Sequence, residues 1–145
     1  MRTCLWTGAA LVISAHLAAT PVRAADDPAA FDGRWDVTLT CPPHNEDEDA
    51  KGYVHRFPAD VKSGVLRGTH GTEGEPGWHL LTGKIAPDGR AALRLDGIVN
   101  NPNYAVGHAF RGKPYNYNVR ASFEGSGGTG QRVGKRHCEF RFERT

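Results

Sequence analysis

The chain has 145 residues, with 18 Lys and Arg against 16 Asp and Glu and 39% hydrophobic residues, which suffices for one core. So even a balance of charge argues against a nucleic-acid partner, which calls for a net basic surface.

The chain opens with "MRTCLWTGAALVISAHLAATPVRA", residues 1–24. A basic start at Arg2, an apolar stretch from Leu5 to Ala19 and small residues at Val22 and Ala24 form a secretory signal peptide, cut after Ala24. The apolar stretch is shorter than the roughly 20 residues of a transmembrane helix. Cys4 precedes it and is therefore no lipid anchor. The expectation is bacterial export to the periplasm or medium, with no stable membrane insertion after signal cleavage. About 121 residues remain, and the loss of Arg2 and Arg23 leaves 16 basic against 16 acidic. Residues 25–32 are expected to be a flexible N-terminal segment, and 33–145 a single β-barrel domain.

From there the dominant pattern is alternation by two, the period of half-buried strands. "RWDVTLTC" puts Trp35, Val37, Leu39 and Cys41 on one face. "YVHRFPADV" does so with Tyr53, His55, Phe57, Ala59 and Val61. "VLRGTH", "WHLLTGKIA", "AALRLDGI" and "YAVGHAFRG" follow as middle strands, the last placing Tyr104, His108 and Phe110 together. "YNYNVRASF" aligns Tyr115, Tyr117, Val119, Ala121 and Phe123, and "HCEFRFE" aligns Cys138, Phe140 and Phe142.

The links alternate in length. "KSG", "PDG" and "GKP" have the chemistry of tight hairpins. "PPHNEDEDAKG", "GTEGEPG", "VNNPN" and "GSGGTGQRVGK" are longer. In an up-and-down meander alternate links share an end, so the long loops gather at one rim and form a cup. The fold class expected is all-β: a single up-and-down antiparallel β-barrel of about eight strands. Its first and last strands pair and are disulfide-linked. Cys41 and Cys138, the two cysteines after the leader, form the simplest disulfide in an oxidising compartment. With them opposite one another, Leu39 meets Phe140, Val37 meets Phe142, and Trp35 meets Arg144, a favourable stacking of guanidinium on indole.

"FDGRWDV" resembles the G-x-W motif that opens calycin barrels: lipocalins, fatty-acid-binding proteins, avidins and small bacterial metalloprotease inhibitors. Gly33 and Trp35 match it. Arg144 matches the basic residue that such families lay across the Trp from the last strand. The resemblance implies an eight-stranded antiparallel barrel closed at the Trp end. No lipocalin T-D-Y motif or avidin biotin pocket accompanies it, so neither ligand class carries over. As a whole the chain is similar to small exported bacterial proteins of uncharacterised role.

Several motifs that suggest chemistry fail on context. "GSGGTG", Gly125–Gly130, has the G-x-G-x-x-G spacing of a dinucleotide turn, yet strand alternation rather than a helix follows it. It is expected to be a hairpin loop at the rim. "HNEDED" lacks the spaced ligands of a calcium loop and reads as a solvated acidic loop. Arg132, Lys135 and Arg136 lie near enough in the barrel to pair with its acids. No serine sits in a G-x-S-x-G turn, and no carboxylate pair shares an interior face, so no enzyme activity is expected. Six histidines follow the leader (His44, His55, His70, His79, His108 and His137). None is spaced H-x-H or H-x-x-x-H, so no metal and no other cofactor is assigned.

The function expected is that of an exported β-barrel binding protein, whose partner is an unknown small ligand or a secreted protein held at the long-loop rim. The candidate residues are Tyr53, His55, Trp78, Tyr104 and His108. The alternative is an inhibitor of a secreted hydrolase that blocks its target with the segment before the first strand.

Overall fold

The computed structural model describes residues 27–45 and 49–145, and the expected signal peptide lies outside them. Eight strands form a closed antiparallel barrel in the order of the chain. They are β1 (Gly33–Cys41), β2 (Tyr53–Lys62), β3 (Val65–His70), β4 (His79–Ile85), β5 (Arg90–Ile98), β6 (Pro114–Glu124), β7 (Gly127–Arg132) and β8 (Glu139–Arg144). Closure leaves no sheet edge to pair with another chain. Among the described residues no helix is long and apolar enough to cross a membrane.

The zip between β1 and β8 has the expected register: Trp35 opposite Arg144, Val37 opposite Phe142 and Leu39 opposite Phe140. A disulfide joins Cys41 to Cys138. The Arg144 guanidinium lies 5.0 Å from the centre of the Trp35 ring and donates to the Ala30 carbonyl. Gly33 begins β1 at φ +136°, a conformation that favours glycine. Trp35 Nε1 donates to the Phe31 carbonyl, and Phe31 itself is buried against Phe123. The Asp32 carboxylate accepts from the backbone of Ser63 and Gly64, capping the β2–β3 turn. The described part of the N-terminal segment thus packs on the closed end of the barrel.

Two expectations fail along the chain. "YAVGHAFRG" is not a strand. Residues 99–113 are one long connection containing two 3-10 turns, Pro102–Tyr104 and Val106–His108. Asn101 caps the first turn through its side chain, Pro102 presets it, and His108 takes a positive φ of 46°. Phe110, expected to share a strand face with Tyr104 and His108, is 67% exposed. The missing strand is supplied by "GGTGQR", expected to belong to a rim loop. Gly125 and Ser126 alone make the tight β6–β7 turn at the closed end, and Gly127–Arg132 is β7. Glycine is needed there for space. A Cβ at Gly128 would stand 2.9 Å from the ring of Phe123, which with Phe142 fills the barrel beside it.

The exchange preserves the cup. The β2–β3, β4–β5 and β6–β7 links are tight, whereas the described parts of the 42–52 link, and 71–78, 99–113 and 133–138, all lie at the opposite end. Toward the closed end the interior is packed with Trp35, Phe123, Phe142, Leu66, Ile85 and Leu93. Toward the long loops it turns to Tyr53, Tyr115, Tyr117 and histidine. Outward positions carry exposed ion pairs such as Arg94–Asp96 and Arg141–Glu143.

Candidate binding cavity and histidine cluster

A cavity of about 420 Å³ opens between the long loops. Tyr53, His55, Tyr104 and Tyr115 line it with Ile98, Val99 and Val106, and Arg132 and Arg136 bring two cations to the same space. Tyr53 and His55 reach it because the alternation of β2 turns them inward above Phe57. Tyr104 reaches it from the first 3-10 turn, still 40% exposed. Burial raises the pKa of Tyr53, Tyr115 and Tyr117, so these hydroxyls stay protonated at neutral pH. The Arg132 guanidinium carbon lies 4.2 Å from the centre of the Tyr117 ring, and its buried Nε has no hydrogen-bond partner.

Arg136 holds the rim together. The residue is only 2% exposed, and its guanidinium donates to the carbonyls of Tyr104, Pro42 and Lys51 while lying over the ring of Tyr53. One side chain from the 133–138 loop therefore ties down the 99–113 and 42–52 loops. Lys51 N–H donates in turn to the Asn103 carbonyl. Sequence proximity suggests that Arg136 pairs with the acidic loop; among the described residues its hydrogen-bond partners are backbone oxygens. Glu46, Asp47 and Glu48 of that loop lie outside the described residues.

Of the five residues expected at the site, Tyr53, His55 and Tyr104 line the cavity and Trp78 and His108 do not. Trp78 is half-buried in the 71–78 loop, where its Nε1 finds no partner. His108 is exposed on the second 3-10 turn, since the strand that would have turned it inward does not form.

Below the cavity His55, His70 and His79 form a stack. Ring centroids are 4.3 Å apart for His55–His70, 4.7 Å for His70–His79 and 5.4 Å for His55–His79, with interplanar angles of 5°, 8° and 13°. One ring nitrogen from each lies within 4.8 Å of the others. The rings meet through tertiary pairing. His70 ends β3 and stands directly opposite His79 at the start of β4, and His55 projects inward from β2 beside them. Spacings of fifteen and nine residues carry no local ligand signature. The one signal in the chain is the hairpin: a His closing one strand and a His opening the next face the same way when the register is symmetric about the loop.

Burial, reinforced by the neighbouring imidazoles, lowers the pKa of His55 to about 4 and that of His79 to about 3. Both rings are therefore neutral at pH 7. His79 is 1% exposed, its Nε2 and the Nδ1 of His55 lack hydrogen-bond partners, and His70 Nδ1 lies 3.2 Å from the Gly77 carbonyl. Unfolded histidine titrates near 6.5, so below that pH the unfolded chain takes up protons that the folded rings refuse. The sign is destabilising on acidification. The penalty is absent above pH 6.5 and grows as pH falls toward 4, with a slope approaching about 1.4 kcal/mol per pH unit from His79. His55, more open to water, adds a smaller part. Urea titrations at pH 7, 6, 5 and 4 should show a falling midpoint, with a shallower fall in His79→Leu.

No family model, no curated protein and no solved structure matches this chain. The fold and site define its class: a small eight-stranded antiparallel barrel, closed at a Trp–Arg base and open at a loop-rimmed cavity.

Proposed function

We propose that this is an exported, calycin-like binding protein whose cup takes a small aromatic or apolar ligand carrying an anionic group. The cavity carries the reading. Tyrosine rings and aliphatic side chains supply the walls, while Arg132 and Arg136 supply positive charge beside them. Apolar walls with a few convergent polar groups are the usual composition of small-molecule sites. Arg132 has donors to spare for a carboxylate or sulfonate, and a charge-assisted bond in a partly desolvated site is stronger than in water. The leader supports export, as does a disulfide at the rim.

The inhibitor reading is less well supported. A blocking segment before β1 has to be presented freely, whereas Phe31 and Asp32 are engaged at the closed end, away from the cavity.

The test uses 8-anilinonaphthalene-1-sulfonate, an aromatic anion whose fluorescence reports transfer to an apolar site. The expected result is saturable binding of one dye per chain. Arg132→Gln should weaken it about tenfold, the loss of one charge-assisted hydrogen bond. Val106→Trp, which fills the mouth, should abolish it. Dye binding that neither substitution alters would place the dye elsewhere and remove the cup as the site.

A further inference from the structure

We propose that His55, His70 and His79 form a binding site for one late first-row divalent cation, Zn²⁺ or Cu²⁺, at the floor of the cavity. Three imidazoles on three consecutive strands converge, with one nitrogen from each inside a 4.8 Å limit, and His79 is buried to 1% exposure. A solvent-filled cup needs no such convergence. A packed core is better served by the leucines and phenylalanines that fill every layer below.

The unsatisfied atoms point the same way. His79 Nε2 and His55 Nδ1 are buried with no hydrogen-bond partner, an unfavourable state for any buried polar atom. The rings lie nearly parallel, and no hydrogen bond from one imidazole to another satisfies these atoms. A cation accepts those lone pairs at once. His70 is oriented in the same sense. With Nδ1–H donated to the Gly77 carbonyl, its lone pair resides on Nε2. A backbone carbonyl fixing the tautomer of a ligating histidine is the usual outer-layer arrangement.

The donor set selects the ion. Among the described residues it consists of imidazoles alone, with no carboxylate or thiolate in the cluster. Calcium and magnesium demand oxygen; imidazole suits zinc and copper. Three protein ligands leave a coordination position, and because His55 and His70 line the cavity, that position faces it. Zn–N bonds of about 2.0–2.1 Å place tetrahedral ligands about 3.3 Å apart, so nitrogens now within 4.8 Å of one another must close by at most about 1.5 Å, with the rings turning out of their parallel arrangement. His70 has the room for this: it is only partly buried, at the end of β3. The cup reading of the cavity is a separate matter, since the histidines take up an ion whether or not an organic ligand sits above.

The experiment is calorimetric titration of the chelator-stripped, disulfide-intact protein with Zn²⁺, alongside Cu²⁺ followed by electron paramagnetic resonance. One ion per chain, a raised melting temperature and nitrogen superhyperfine splitting on Cu²⁺ are expected. His70→Ala and His55→Gln, each checked by circular dichroism for the barrel, should weaken binding at least about 100-fold. His137→Ala, on the outer face beside Glu139, should leave it unchanged. Absence of stoichiometric uptake of either ion would overturn the proposal, as would uptake that survives the two cluster variants or is lost in His137→Ala. Dye binding, measured separately, reports on the cup alone.

Discussion

Reducing the Cys41–Cys138 bond, or replacing both cysteines by serine, should cost about 4–5 kcal/mol and lower the melting temperature by about 15 °C. The bond spans 97 residues, nearly the whole barrel domain, so its loss frees almost the largest loop this chain can close. In the chain-entropy description that freedom belongs to the unfolded state, and a loop of this length sits near the upper end of the effect. Position adds to it. The disulfide joins the first strand to the last where the long loops begin, and β1–β8 is the pairing of greatest sequence separation in the barrel. Once the covalent link is gone, this seam rests on ladder hydrogen bonds, on the aligned apolar pairs Val37–Phe142 and Leu39–Phe140, and on the Trp35–Arg144 stack. Urea denaturation with and without reductant measures the difference. An unchanged midpoint would show that the seam holds without sulfur.

Arg136→Met should cost about 3 kcal/mol and weaken dye binding more than Arg132→Gln does. Methionine fills much of the same volume but offers no donor. The carbonyls of Pro42, Lys51 and Tyr104 then lose the guanidinium that satisfies them, and an orphaned buried carbonyl costs about 1–3 kcal/mol. Burial lowers the pKa of Arg136, yet arginine remains a cation, so the site also loses a positive charge. Arg136→Lys should rescue little, because two separate guanidinium nitrogens meet these carbonyls and lysine has a single terminal nitrogen to place among them. Denaturation midpoints and dye titrations on the same preparations separate the loss of the rim from the loss of charge. A Lys variant that matches wild type in both would refute the bracing role.

The end strands are legible because each alternates apolar and polar residues over a long run, and only one register brings every inward pair into apolar contact. The expected strand before β6 does not form, for a physical reason. "YAVGHAFRG" alternates well enough, but Asn101 and Pro102 start a 3-10 turn that breaks its ladder before it begins. "GGTGQR" carries no apolar side chain to read, and glycine stands at 128 and 130 because the Phe123 ring at the first, and Ala121 and Val119 at the second, crowd the space a Cβ would need. The cavity is half-legible: Tyr53 and His55 follow from strand parity, whereas Arg132 and Arg136 look like partners for acids.

Period-two patterning and turn chemistry suffice for the all-β class, the closure of the barrel by its two ends, the disulfide and the segregation of long loops to one rim. These features are local or depend on a single register, so the order of residues encodes them directly. Which residues meet at the rim is settled only by the folded chain. His55, His70 and His79 are brought together by strand pairing across loops, and Arg136 finds its carbonyls in loops of no regular structure. Contacts of that kind depend on backbone path and burial, which no spacing along the chain encodes.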